Sequence, residues 1–82
     1  MHTIIGLQIK DRKSLAEKVQ KLLSQYGCYI KTRIGLHDVH DNICSGTGII
    51  LLEMFGDNKK IKEFQNKISK LSGVTLKKMI FK

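Results

Sequence analysis

The stretch Gly48-Ile49-Ile50-Leu51-Leu52-Glu53-Met54-Phe55 is a nearly continuous apolar run of strand length. A strand buried on one face alternates apolar and polar residues, whereas an unbroken apolar run fits a strand flanked on both sides. The segment therefore predicts a central strand, and the rest of the chain is read outward from it. Downstream, Gly56-Asp57-Asn58 breaks the run and caps the next segment. Ile61, Phe64, Ile68 and Leu71 then recur at helical spacing until Ser72-Gly73, and Val74 to Phe81 makes a last strand. Upstream, Cys28, Ile30, Thr32, Ile34 and Leu36 alternate with Tyr29, Lys31, Arg33 and Gly35, which predicts a half-buried strand with Cys28 as a small core residue. Before it, Leu15, Ala16, Val19, Leu22 and Leu23 place an amphipathic helix over Lys13 to Gln25, with Asp11 as its N-cap and Gly27 as its stop. Thr3 to Ile9 alternates with Ile5, Leu7 and Ile9 on one face, the signature of a first strand.

The order of elements is β-α-β-β-α-β, the α+β ferredoxin-like sandwich, and it occupies residues 1–82 as a single domain. In that topology the first and third strands are central, and the sheet is antiparallel, four-stranded and covered by two helices on one face. The third strand, however, offers Ile50, Leu52 and Met54 to one face and Ile49, Leu51 and Phe55 to the other. The fourth likewise sets Met79 and Phe81 opposite Leu76 and Ile80. Two helices cover only one of these faces, so the other predicts a sheet-mediated homodimer or larger homo-oligomer.

Fifteen Lys and Arg against seven Asp and Glu leave a formal charge of +8, which favours nucleic acid, an anionic ligand or an acidic partner. No apolar run is long enough to span a bilayer and no signal-like segment precedes the first strand, so the chain reads as soluble and cytoplasmic. Two cysteines, Cys28 and Cys44, are too few for a disulfide framework.

Chemistry concentrates in His37-Asp38-Val39-His40-Asp41-Asn42-Ile43-Cys44, predicted as a loop between the second and third strands. Imidazole nitrogen and thiolate sulfur suit borderline-soft divalent ions, so His37, His40 and Cys44 are the candidate ligands for a transition metal such as nickel or zinc. The competing reading is a polar hairpin connection with a chance cysteine. An enzyme is not expected: Cys44 beside a histidine lacks a recognisable oxyanion site, and Asp38 and Asp41 suit backbone capping in a turn. Ser45-Gly46-Thr47-Gly48-Ile49-Ile50 lacks the stacking rings of an RNA-recognition sheet, and Gly46-Thr47-Gly48 lacks a phosphate-loop lysine. Lys10-Asp11-Arg12-Lys13 stands where a metal chaperone of this topology would carry Cys-x-x-Cys.

Asp11-Arg12, Leu15-Ala16, Val19, Leu22-Leu23, Gly27 and Ile30 resemble the opening of an ACT-type regulatory domain, although the glycine usual in that turn is replaced around Lys13 and Ser14. Arg33-Ile34-Gly35-Leu36-His37-Asp38, Cys44-Ser45, Gly48-Ile49-Ile50-Leu51-Leu52-Glu53, Gly56-Asp57 and Gly73-Val74-Thr75-Leu76-Lys77-Lys78-Met79-Ile80-Phe81 resemble the small stand-alone regulators associated with iron-only hydrogenase systems. The order and content of His37, His40, Asp41-Asn42 and Cys44 are also similar to the ACT-like metal-binding C-terminal domain of nickel-responsive repressors. In that domain a His-x-His pair precedes a Cys at a central strand, whereas two residues separate the histidines here. The ribbon-helix-helix segment of those repressors is absent.

These resemblances imply a stand-alone ACT-like regulatory or ligand-sensing module, a transcriptional regulator linked to an iron-only hydrogenase system and acting as a homo-oligomer. Its ligand or metal site would lie between the second and third strands. Arg33, His37, Asp38 and Ser45 are the candidate ligand-binding residues, Arg33 for an anionic group. The alternative is a nucleic-acid-binding domain, in which Lys10, Arg12, Lys13, Lys59, Lys60, Lys62, Lys67 and Lys70 would form a phosphate-contacting stripe.

Overall fold

The computed structural model describes the backbone of residues 2–10, 13–40 and 43–82, and the side chains of these residues other than 13, 37–40 and 43–47. Six elements succeed one another along the chain: β1 (His2–Ile9), α1 (Lys13–Gln25), β2 (Ile30–His40), β3 (Ile43–Met54), α2 (Asn58–Ser69) and β4 (Val74–Phe81). The strands form one antiparallel sheet in the order β2-β3-β1-β4. The predicted βαββαβ sandwich is thus the observed one, with β1 and β3 central. Asp57, predicted to cap the second helix, accepts the Lys59 backbone N–H at 2.9 Å and so satisfies one of the donors that a helix start leaves free. Asp11, the predicted cap of α1, lies outside the described residues.

Register explains the core. Ile5 stands opposite Leu52 in β3, and Leu7 opposite Ile50 in β3 and Leu76 in β4. Directly opposed residues share a face of the sheet, so one face gathers Thr3, Ile5, Leu7, Ile9, Leu52 and Met54, all buried. Leu15, Val19 and Leu23 of α1 and Ile61, Phe64 and Ile68 of α2 close over it. These are the helical positions the spacing predicts. The helices are also tied to each other: the buried Tyr26, just past α1, donates its hydroxyl to Glu63 at 2.6 Å and packs its ring 5.4 Å from that of Phe64.

Two details depart from the sequence expectation. Cys28 is exposed, not core: Gly27–Tyr29 forms a 3-10 turn between α1 and β2, and the neighbouring Tyr26 and Tyr29 provide the apolar packing there. A β-bulge between Ile30 and Thr32 then inserts Lys31 into the ladder. One extra residue exchanges the faces of everything beyond it. Ile30, opposite Met54, packs against the core, whereas Ile34 and Leu36, opposite Leu51 and Ile49, lie on the uncovered side. The predicted apolar face of this strand is therefore split between the two sides of the sheet.

Two glycines close the turns with φ of +96°, Gly56 before α2 and Gly73 before β4. They differ in what a side chain would meet. A Cβ at Gly73 would sit 2.9 Å from Leu15 Cδ2, while at Gly56 the nearest atom, Tyr29 Cδ1, is 3.4 Å away. Both Gly→Ala changes are expected to destabilise by about 1–3 kcal/mol through backbone strain, with Gly73→Ala the costlier of the two. Equal urea midpoints for both variants would refute that order. The Tyr26 hydroxyl holds the Glu63 carboxyl below its ordinary value of 4.5; partial desolvation opposes this, and the Lys60 and Lys67 charges add to it. A carboxylate whose folded value is lowered contributes stability that is complete above its unfolded value and is lost as pH falls through the folded one. The stability gap between wild type and Tyr26→Phe, measured by urea unfolding, should therefore stay level above about pH 4.5 and narrow below it.

Candidate functional site

β2 and β3 are longer than their neighbours. The β1 ladder ends with Ile9 opposite Gly48, yet β3 begins at Ile43 and β2 continues to His40. The segment predicted as a loop is therefore mostly strand: Val39 stands opposite Cys44 and His40 opposite Ile43. The physical reason lies in Val39 and Ile43, β-branched residues that suit a ladder better than a turn. A second irregularity falls between His37 and Val39. The result is a two-stranded ribbon extending past the four-stranded body, in a molecule 41 Å long and 23 by 18 Å across.

The candidate metal ligands sit on this ribbon. The Cys44 backbone is opposite Val39, between Asp38 and His40, while His37 is opposite Gly48, level with the last β1 pair. Register thus gathers the backbones of Asp38, His40, Cys44 and Ser45 toward the ribbon end and leaves His37 nearer the body. The side chains of His37, Asp38, His40, Cys44 and Ser45 lie outside the described residues. Arg33 stands apart. It is opposite Leu52 on the helix-covered side and donates through Nη2 to Gln20 Oε1 of α1 at 2.6 Å. Three residues of strand lie between it and His37, about 13 Å of rise over four steps, and one guanidinium nitrogen is engaged with the helix.

The second candidate surface is the face that the helices leave open. Register sets its rows: Thr32, Glu53, Ile4 and Met79; then Ile34, Leu51, Gly6 and Lys77; then Leu36, Ile49, Gln8 and Thr75. Phe55 and Phe81 lie beyond the first row. Ile34, Leu36, Ile49, Phe55, Met79 and Phe81 are each between 38% and 55% exposed, so this is a contiguous apolar surface and not a scatter of single residues. Its polar residues are Thr32, Glu53, Gln8, Lys77 and Thr75. Glu53 accepts from Thr32 Oγ1 at 2.9 Å across the strand pair, and among the described residues of these rows Lys77 is the one base.

The lysines of the supposed phosphate stripe are dispersed in their roles. Lys60 Nζ is 3.7 Å from Glu63 Oε2, and Lys67 Nζ lies over the Tyr26 ring, 5.3 Å from its centroid. Arg12 and the Lys13 side chain lie outside the described residues.

No helix is long and apolar enough to cross a membrane among the described residues. Among solved structures, the fold matches protein TM1266 of Thermotoga maritima with a TM-score of 0.84 and 27% identity, over 99% of this chain and 96% of that one. The ACT domain of the GTP pyrophosphokinase of Chlorobium tepidum matches with a TM-score of 0.62 and 18% identity, over 96% of this chain and 97% of that one. A formyltetrahydrofolate deformylase from Pseudomonas putida KT2440 matches at 0.66 and 15% identity; 99% of this chain aligns with 29% of that enzyme. The last two likenesses establish the ACT-like fold alone. No curated protein matches the sequence significantly. Residues 2–78 match the sequence pattern of the TM1266-like family, described as "Iron-only hydrogenase system regulator, putative", and the chain belongs to that family.

Proposed function

We propose that this chain is a stand-alone, non-enzymatic regulatory module of an iron-only hydrogenase system, working as a homo-oligomer that senses a metal ion or small ligand on the β2–β3 ribbon. The open apolar face of the sheet carries this reading. Ile34, Leu36, Ile49, Leu51, Met79 and Phe81 lie together on the side of the sheet that no helix covers, and a contiguous apolar patch of this kind suits an interaction surface. A second copy is the occupant that suits it. Among the described residues of its three rows the face carries one acid, Glu53, and one base, Lys77, on different strands. A two-fold pairing would set Glu53 of one copy against Lys77 of the other while the aliphatic rows meet between them.

Assembly would also give the ribbon something to rest on. A two-stranded ribbon by itself is marginally stable in water, and the segment bearing His37, His40 and Cys44 extends beyond β1. In an oligomer the ribbon is held by the neighbouring copy, and a nickel or zinc site there would draw its remaining ligands from across the interface. Arg33 holds Gln20 through Nη2, and its remaining guanidinium donors would serve an anionic ligand.

Sedimentation velocity tests the assembly. Wild type should sediment as a dimer or larger species, and Ile34→Lys/Met79→Lys as a monomer with an unchanged far-UV circular dichroism spectrum. A monomeric wild type would defeat the reading. For the ribbon, equilibrium dialysis against Ni and Zn with subsequent elemental analysis should find metal in wild type and a loss on Cys44→Ala, with a parallel loss in the monomeric double variant. Near-zero occupancy in wild type would remove the metal from the proposal.

A further inference from the structure

We propose that a groove at the opposite end of the sheet from the ribbon, between the first two turns of α2 and the β1–β4 pair, is a binding site for a small carboxylate with an apolar body. The groove is open to solvent on one side and offers about 180 Å³. Asn58, Ile61, Lys62 and Gln65 reach it from α2, at the spacing of a single helical face. Lys78 and Ile80 reach it from β4, where alternate residues face the helices, and Thr3 joins them from β1 opposite Ile80.

The chemistry of this lining is lopsided. It holds two amines, two carboxamides, a hydroxyl and two isoleucines, and no carboxylate. Lys60, in the same turn of α2 but not lining the groove, is matched by Glu63, whereas Lys62 and Lys78 line the groove with no acid among its lining residues. The N-terminal end of α2 adds its positive dipole end to the same region; Asp57 occupies its own capping bond to Lys59 there. Two lysines lining one groove favour an anion beside them, and lysine ammonium groups bind carboxylates through charge-assisted hydrogen bonds.

The apolar part sets the size and shape. Ile61 and Thr3 are buried at the floor, while Ile80 is 47% exposed although it lies on the helix-covered side. Ile80 therefore has room beside it that the helix does not fill. A cavity of about 150 Å³ holds benzene, so this groove takes one ring or a branched aliphatic group together with its carboxylate. The body would rest on Ile61 and Ile80, the carboxylate between Lys62 and Lys78, and Asn58, Gln65 and Thr3 would supply further hydrogen-bonding groups. Such a mixture of apolar walls and a few convergent polar groups is the ordinary make-up of a small-molecule site. A compact inorganic anion would leave the isoleucines without a role.

Amide chemical shifts of the 15N-labelled protein decide the matter, titrated at fixed ionic strength with benzoate, with its uncharged counterpart benzamide, and with inorganic phosphate. Benzoate should produce saturable shifts centred on Thr3, Ile61, Lys62, Lys78 and Ile80, with benzamide and phosphate each binding at least about fivefold more weakly. Lys62→Met and Lys78→Met should each weaken benzoate binding by about tenfold, and Lys70→Met, outside the groove, should leave it unchanged. All three lysines are exposed, so these variants are expected to fold. The proposal is overturned by any of four results: no saturable benzoate shifts at these residues, benzamide binding as tightly, phosphate binding as tightly, or indifference to both groove lysines.

Discussion

Two helices can cover one side of a four-stranded sheet, and this chain makes both sides of its central strand apolar. The burial of Ile5, Leu7 and Leu52 under Val19, Leu23, Phe64 and Ile68 removes one side from water and supplies the main favourable contribution to folding. The same strand pairing that places Leu52 in that core sends Leu51 and Ile49 the other way. The uncovered face is thus a geometric consequence of the core.

The bulge at Lys31 enlarges this effect. Without the extra residue, Ile30, Ile34 and Leu36 would share one side of β2; with it, Ile30 joins the core and the other two join the open face beside Leu51 and Ile49. It also turns Arg33 toward α1, where Gln20 engages it. One inserted residue therefore extends the apolar face and removes a cation from it. Farther along the same strand pair, β2 and β3 outrun β1, and the histidine and cysteine segment rides on the extension. The open face and the ribbon are two products of the same pair of strands, which is why assembly and ligand sensing belong together in the proposed function.

Much of the architecture is legible in the residues. Leu15, Val19, Leu23, Ile61, Phe64 and Ile68 repeat with the helical period because one helix face meets the sheet, and Gly73 stands in the turn that opens β4 because the backbone there adopts a positive φ. The departures have equally local causes. Period-2 alternation continued backward from β2 places Cys28 in the core, but those residues wind into a 3-10 turn. The same alternation puts Ile34 and Leu36 on the face of Ile30, because a bulge is set by pairing with the partner strand and leaves no mark on the strand's own pattern. The contact of Arg33 with Gln20 is not legible in the sequence because the two residues are thirteen apart and lie on different elements. The groove lined by Lys62, Lys78 and Ile80 has no sequence signature, since its members come from separate elements with no shared motif.

Side-chain periodicity within short windows dictates the order of elements, the helix-facing core and the existence of surplus apolar residues, so these are properties of the sequence alone. Whether the surplus forms one continuous surface, whether the His37 to Cys44 segment is loop or ribbon, and which lysines stand beside acids or face a groove are settled in three dimensions. Strand register, one bulge and the seating of α2 against β4 govern all of these, and each arises from contacts between residues far apart along the chain.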